Sequence, residues 1–133
     1  MNAMPEKPEA PLVSIVDDDT AVLRSTLRLL SSSGLRAEAF ASAEDFLRSG
    51  RAGDTGCLLL DLSMPGMDGL ELQRRLAEAG RPVPIVFLSA RASEEEERRA
   101  LQAGAANFLR KPVSKDALLN AIRAVFARPT NHQ

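Results

Sequence analysis

The sequence predicts an α/β fold in which a doubly wound, five-stranded parallel sheet carries helices on both faces. Strand-like segments alternate with segments of helical periodicity five times along the chain, which is typical of a parallel sheet. Residues 57–60 are wholly apolar and so predict a strand buried on both faces. The first, third and fourth strands are the most apolar and should be central. The strand order 2-1-3-4-5 satisfies this with right-handed connections.

The predicted strands cover residues 12–16, 36–40, 57–60, 85–88 and 105–109. The second and fifth strands are the more polar and are expected at the edges of the sheet. Segment 50–56 is predicted to be loop. Each helix has a residue at its start that is suited to capping; these are Asp19 or Thr20, Ser42, Asp68, Ser93 and Ser114.

The fourth helix, predicted at 93–103, has a thin apolar face. Its apolar residues are chiefly Ala100, Leu101 and Ala103, so weak packing should leave it freer to shift than its neighbours. The acidic run at 94–97 lies in the first turn, where the helix dipole favours negative charge. This run is therefore interpreted as part of the helix start and not as a binding site.

Length and composition limit the classes of protein that the chain can represent. Its 133 residues suffice for one domain, predicted at 12–127 between a disordered tail at 1–11 and a C-terminal tail or start of a linker at 128–133. A net charge of −1 gives no basic field for direct nucleic-acid binding. The lone Cys57 fits a reducing, cytoplasmic setting, and no apolar run is long enough to cross a membrane.

Polar residues follow four of the five predicted strands. Because the carboxyl ends of parallel strands share one edge of the sheet, Asp17, Asp18, Asp61, Ser89 and Lys111 should gather there. Three carboxylates that close repel one another unless a cation lies between them, and Mg²⁺ accepts such oxygen ligands. Taken singly, Asp17 and Asp18 can equally well end a strand and cap a helix, and Asp61 alone is better interpreted as a strand-ending or capping residue. The convergence of the three favours a site.

A carboxylate between a cation and a lysine can attack phosphorus and form an acyl phosphate. Asp61 is the candidate nucleophile, Lys111 would neutralise developing charge, and Ser89 could donate a hydrogen bond to the phosphoryl oxygens. Other chemistries lack their residues: His132 is alone in the tail, and there is no Gly-rich phosphate loop or zinc-ligand spacing. The aspartate cluster also differs from that of haloacid-dehalogenase-type phosphatases, because position 21 is alanine.

Four motifs in this order resemble the receiver domain of a bacterial two-component response regulator, a CheY-like domain, over residues 12–127. The motifs are Ile15-Val16-Asp17-Asp18-Asp19, Leu60-Asp61-Leu62-Ser63-Met64-Pro65-Gly66-Met67-Asp68-Gly69, Ser89-Ala90, and Phe108-Leu109-Arg110-Lys111-Pro112. The first two are most similar to the FixJ-like branch, whose receivers often precede a helix-turn-helix DNA-binding domain.

The resemblance implies that Asp61 accepts a phosphoryl group from the histidine of a sensor kinase. It implies Mg²⁺ ligation by Asp18, Asp61 and the backbone carbonyl of Ser63, with Asp17 acting through water. Ser89 and Lys111 would contact the phosphoryl group. The resemblance also permits a cis bond between Lys111 and Pro112.

The same resemblance implies a conformational switch. Phosphorylation would draw Ser89 inward, vacate space for Phe108, and shift the helix at 93–103 with the surface around the fifth strand. An aromatic residue on a strand is otherwise core, so the switch role of Phe108 depends on the resemblance alone. Ser63 and Arg91 flank the site and are expected to tune the lifetime of the phosphoryl group.

The sequence therefore predicts a phosphorylatable receiver module, a switch and not a conventional enzyme, that controls an output such as transcription. A single-domain phosphoryl shuttle, a small Mg²⁺-dependent phosphohydrolase and a receiver-like domain that never takes phosphate are the alternatives. The chain is interpreted either as a single-domain regulator or as the receiver of a longer protein. The expected partners are a sensor histidine kinase and, on phosphorylation, a second copy bound through residues 93–110.

Overall fold

One five-stranded sheet organises the chain, and the computed structural model describes residues 10–128 of it. Of the tails predicted at 1–11 and 128–133, residues 1–9 and 129–133, with His132, lie outside the described residues. The strands are β1 (Leu12–Val16), β2 (Arg36–Phe40), β3 (Thr55–Asp61), β4 (Ile85–Ser89) and β5 (Asn107–Arg110). All neighbours pair in parallel, in the order β2-β1-β3-β4-β5. The predicted fold class and strand order are confirmed.

Four helices connect successive strands and a fifth follows β5, and each starts at a capping side chain. They are α1 (Thr20–Ser32), α2 (Ala43–Ser49), α3 (Gly69–Glu78), α4 (Glu94–Gln102) and α5 (Lys115–Ala127). Asp19, not Thr20, caps α1, and the side chains of Ser42, Asp68, Ser93 and Ser114 accept backbone N–H groups at the other four starts. Ser93 and Glu96 form the predicted reciprocal capping box.

The sheet separates two hydrophobic cores, because alternate residues of a strand face opposite sides. On β3, Leu58 and Leu60 join a core with α2, α3 and α4. Cys57 and Leu59, on the other face, join a core with α1 and α5. Each face is therefore covered by its own set of helices, and both cores end near the carboxyl edge of the sheet.

Two predicted strand boundaries were wrong. β3 begins at Thr55 and not at residue 57, because the Thr55 hydroxyl donates to the Arg51 carbonyl at 2.7 Å and lies 2.7 Å from the Ser14 hydroxyl on β1. The preceding segment is not all loop, since Arg51–Asp54 forms a 3₁₀ helix. β5 begins at Asn107 and not at residue 105, because the Ala105 N–H bonds to the Ala100 carbonyl at the end of α4.

The apolar face of α4 is thinner than predicted. Ala100 is its one buried residue, whereas Leu101 is 43% exposed and Ala103 is exposed. A buried polar contact replaces the expected apolar packing, since the Gln73 amide of α3 donates to the Ala100 carbonyl at 3.0 Å. α4 is thus attached by few apolar contacts. Across residues 10–128, no helix has the length and apolar character needed to cross a bilayer.

Gly69 sets how closely α3 approaches the end of β3. A Cβ atom at this position would lie 2.7 Å from the Asp61 carbonyl oxygen and 3.0 Å from the Leu62 Cα atom. Both neighbours are backbone atoms, so they cannot rotate out of the way. The glycine therefore lets the helix begin directly against the backbone of the candidate nucleophile.

We expect Gly69→Ala to lower the free energy of unfolding by about 1–3 kcal/mol, because the added methyl group overpacks a backbone contact. Chemical denaturation measures this difference. Gly53→Ala is the matched control, because its added Cβ would meet only the flexible end of Arg81. Equal stability of the two variants would show that the β3–α3 approach tolerates a side chain.

Candidate functional site

Three aspartates converge at the carboxyl edge of the sheet. β1 and β3 are neighbours with Val16 paired to Leu60, so the residues that follow them, Asp17 and Asp61, lie side by side. One carboxylate oxygen from each of Asp17, Asp18 and Asp61 lies within 4.8 Å of the others. Asp17 and Asp61 are buried at 2% and 7% exposure, whereas Asp18 is exposed. The cluster is therefore open to solvent on one side.

Lys111 brings a positive charge to this cluster from the end of β5. Its Nζ atom lies 3.0 Å from Asp17 Oδ2 and 3.7 Å from Asp61 Oδ1. The lysine was expected opposite Asp61, and its shorter contact is with Asp17. Its backbone N–H donates to the Ser89 carbonyl at 2.8 Å, and the Lys111–Pro112 bond is cis.

The charges of the cluster are incompletely balanced. Burial raises the pKa of Asp61 from 3.8 to about 6, with a further rise from the Asp17 carboxylate and an opposing effect of Lys111. Burial alone would lower the pKa of Lys111, but its hydrogen bond to Asp17 and the charges of Asp17 and Asp61 outweigh this, so the pKa is raised. The Lys111 ammonium is thus the one positive charge described at a cluster of three carboxylates.

This donor set fits a small, hard divalent cation. Oxygen ligands and an open side for water match the coordination of Mg²⁺, which binds few carboxylates and keeps several waters. A cation between the carboxylates would also remove the repulsion that raises the pKa of Asp61. The residues present are therefore suited to a metal ion.

Ser89 ends β4 beside the cluster and is 1% exposed. Its hydroxyl oxygen accepts hydrogen bonds from the Ala92 N–H at 3.0 Å and the Arg91 N–H at 3.3 Å. The side chain is therefore engaged by the turn that follows β4. The hydroxyl proton is used in neither bond, so it is available as a donor.

Phe108 lies in the core beneath the same turn. It is 8% exposed, and its ring centroid lies 5.8 Å from that of Phe87. The guanidinium carbon of Arg110 lies 5.6 Å from the Phe108 centroid. Phe108 is thus packed as a core residue, with a cation over one face of its ring.

The remaining predicted residues, Ser63 and Arg91, are exposed. Ser63 lies two residues after Asp61 in the β3–α3 loop, and Arg91 lies two residues after Ser89. Glu44 of α2 was missed by the sequence analysis: its carboxylate accepts the Met67 N–H of the β3–α3 loop at 3.2 Å. The 23 residues that separate this pair along the chain leave no local pattern that would reveal the contact.

Residues 13–123 match the family described as response regulator receiver domain. The chain belongs to this family. The predicted resemblance, including its FixJ-like character, is confirmed, and the domain is a signalling module. Its receiver fold explains why an acidic cluster, a serine and a lysine meet at one edge of a parallel sheet.

Similar proteins cover the receiver domain along most of its length. It is 44% identical over 115 residues to response regulator protein TodT of Pseudomonas putida, an alignment that covers 86% of this chain and 51% of TodT. It is 38% identical over 121 residues to transcriptional regulatory protein FixJ of Azorhizobium caulinodans, covering 91% and 57%. The crystal structure of FixJ-N superposes with a TM-score of 0.81 at 32% identity, covering 92% of this chain and 99% of that one. The chain spans about half the length of these two curated relatives.

We expect Asp61→Asn to stabilise the metal-free receiver domain at pH 7.5 by at least about 1 kcal/mol relative to wild type. The folded wild type holds its Asp61 proton up to about pH 6, whereas the unfolded chain releases it near 3.8. Wild-type stability is therefore lost as pH rises between these values. The gap between the proteins should widen from pH 4 to pH 6 and then level off. Urea unfolding in EDTA measures it, and a gap independent of pH would contradict the expectation.

Proposed function

We propose that Asp61 accepts a phosphoryl group from a sensor histidine kinase in a Mg²⁺-dependent reaction and thereby switches the surface of residues 93–110. The observation that carries this proposal is a buried carboxylate with two more carboxylates within 4.8 Å and an ammonium at 3.7 Å. The proposal includes self-catalysed transfer and hydrolysis of the phosphoryl group.

Asp18, Asp61 and the backbone carbonyl of Ser63 would hold Mg²⁺, with Asp17 acting through a water molecule. When bound, the ion would neutralise charge on the phosphoryl oxygens. Both carboxylate oxygens of Asp17 are already engaged, Oδ1 by the Asp19 N–H and Oδ2 by Lys111, which supports an indirect role for Asp17. Glu44 would support this site by holding the loop that carries Ser63.

In the transfer, an oxygen of the Asp61 carboxylate forms a bond to phosphorus while the bond from phosphorus to the kinase histidine breaks. The electron pair of that bond leaves with the imidazole nitrogen, and Asp61 becomes an acyl phosphate. Lys111 already lies between Asp17 and Asp61, so a small movement of its ammonium would neutralise a phosphoryl oxygen. The amine thus exchanges one anionic partner for another.

Ser89 and Phe108 would convert phosphorylation into a change of shape. The Ser89 hydroxyl would turn from the N–H groups of Arg91 and Ala92 to donate to the phosphoryl group. Movement of the turn would let Phe108 shift and α4 follow, which the few apolar contacts of α4 permit. Ser63 and Arg91 are exposed beside the site, where they would tune how readily water reaches the acyl phosphate.

The output would be transcription, exerted through a DNA-binding domain that is not in this chain. The relative FixJ is a transcriptional regulatory protein, and both FixJ and TodT are longer than this chain, which supports this proposal. We place the receiver in the cytoplasm, with the kinase as its partner and with no direct contact to nucleic acid or membrane.

Intact-mass measurement after incubation with acetyl phosphate and Mg²⁺ tests the proposal. Wild type should gain about 80 Da, one phosphoryl group, because Asp61 attacks the activated phosphorus. Asp61→Asn should gain nothing, and Asp18→Asn should lose the Mg²⁺ dependence or the adduct. Asp116→Asn, which changes an aspartate at the start of α5 away from the cluster, is the matched control and should behave as wild type.

The outcomes separate the alternatives. No adduct in wild type, even after short reactions quenched in acid, would favour a phosphate-independent interaction domain. Sustained turnover of phosphate esters would favour a phosphohydrolase. A persistent adduct confined to proteins that retain Asp61 supports the receiver function.

We also propose that phosphorylation promotes a homodimer through residues 93–110, because Leu101 exposes 43% of its surface there. Leu101→Glu should weaken the phosphorylated dimer at least about tenfold, since the charge would be desolvated at the interface. Sedimentation velocity with acetyl phosphate and Mg²⁺ measures this. Ser25→Glu adds the same charge at an exposed position of α1, on the opposite face of the sheet, and should leave association unchanged. Unchanged sedimentation of wild type on activation would contradict the proposed dimer.

A further inference from the structure

Arg110, the last residue of β5, contacts three parts of the switch region. Its Nη1 atom donates to the Ala92 carbonyl at 2.7 Å, and its Nη2 atom donates to the Glu97 carboxylate at 2.6 Å. Its guanidinium also lies over the Phe108 ring, 5.6 Å from the centroid. We call these three contacts the Arg110 clamp. They join the end of β5 to the β4–α4 turn, to α4 and to Phe108.

The clamp holds the residue that is hydrogen-bonded to Ser89. The Ala92 N–H donates to the Ser89 hydroxyl at 3.0 Å, and the Ala92 carbonyl accepts from Arg110. Ala92 is itself 8% exposed and packs into the core with Phe108. A single buried residue therefore connects the clamp to the hydroxyl group beside Asp61.

We propose that Arg110 is a positioning residue that holds the β4–α4 turn in the arrangement where Ser89 is bound to Ala92, and so opposes activation. This inference rests on the proposed function, in which the Ser89 hydroxyl contacts a phosphoryl group on Asp61. Arg110 is not one of the residues of the aspartate cluster. It would act on the reaction indirectly, through Ala92, Glu97 and Phe108.

The contacts of the clamp are made in the arrangement where Ser89 is bound to Ala92, and the activated arrangement would lose some of them. If Ser89 turns toward Asp61 alone, the Ala92 N–H loses its acceptor in a buried turn. If Ala92 follows Ser89, its carbonyl leaves Arg110. A shift of Phe108 removes the ring beneath the guanidinium in either case. Interactions made in only one state shift the equilibrium toward that state, so losing the clamp should favour the activated arrangement.

General stabilisation of α4 is the competing explanation. The Arg110–Glu97 pair is partly exposed, at 44% and 33% of the side chains, and such pairs contribute little to stability. The bond from a charged donor to the buried Ala92 carbonyl is stronger. Arg98 offers the control, because it pairs with Glu95 and Gln102 within α4 and makes no recorded contact with the turn.

The test titrates beryllofluoride, a stable mimic of an aspartyl phosphate, into the protein with Mg²⁺ while amide spectra are recorded. Arg110→Met should bind it about three- to tenfold more tightly than wild type, the range expected for losing a charge-assisted hydrogen bond in a partly exposed site. Without beryllofluoride, the Ala92 amide should exchange with solvent faster by a similar factor. Arg98→Met should match wild type in both measurements. The titration is done at protein concentrations where sedimentation shows only monomer, so that dimerisation does not contribute to the measured affinity.

Glu97→Gln keeps Arg110 and removes only the ion pair, so it should bind beryllofluoride about twofold more tightly. If Arg110→Met does not fold, Glu97→Gln is the variant that tests the inference. Equal or weaker binding by Arg110→Met, with wild type binding normally, overturns the inference and leaves the proposed function standing. An equal gain in Arg98→Met also overturns it, since general α4 stability would then be the cause. If wild type itself does not bind, the proposed function fails and the inference fails with it.

Discussion

Crowding of three carboxylates around one ammonium is the interaction on which the rest of the site depends. The aspartates come from the ends of β1 and β3, and the lysine comes from the end of β5, which is separated from β3 by β4. The charges therefore meet only when the whole sheet has formed in its observed order. Bringing like charges together at a buried edge costs folding energy, which the two hydrophobic cores must supply. A bound cation or phosphoryl group changes this local balance, and that makes the edge responsive.

In the proposed switch, a series of contacts connects the carboxyl edge of the sheet to the surface of α4. Ser89 is held by the backbone of the following turn, Ala92 is held by Arg110, and Arg110 reaches both Phe108 and α4. Each step is a discrete contact that is either made or broken. The weak apolar attachment of α4, aided by the Gln73 amide, means that few contacts must change for the helix to move. In the proposed function, chemistry at Asp61 would thereby reach a surface on the far side of β4.

The sequence was sufficient for the sheet order and for the residues at its edge, because apolar runs and strand ends follow short-range rules. Asp17, Asp18, Asp61 and Lys111 come together because parallel strands share a direction. The sequence was insufficient where the contact of a side chain depends on residues that are distant along the chain. Gln73 reads as a polar helix residue, and only the packing of α3 against α4 makes it buried.

The predictions of element boundaries and of side-chain exposure were wrong for related reasons. Thr55 looks like a loop residue until its hydroxyl meets Ser14 across the sheet, a contact between positions 41 residues apart. Leu101 looks like a core residue, but its helix is too loosely packed to cover it. Arg110 belongs to a recognised motif, yet nothing in that motif shows which carbonyl its guanidinium will reach. Long-range contacts determine these features, and a local pattern does not contain them.

The division of the interior into two separate cores has a consequence for how this domain tolerates change. Within residues 10–128, the buried apolar side chains form two separate clusters, one with α1 and α5 and one with α2, α3 and α4. Substitutions in different clusters should therefore have additive energetic effects. Substitutions within one face should instead show strong coupling. One face can thus accumulate sequence variation while the other retains the contacts that its motion requires. Independent cores would allow a small domain to vary its recognition surfaces without changing the contacts of the proposed switch.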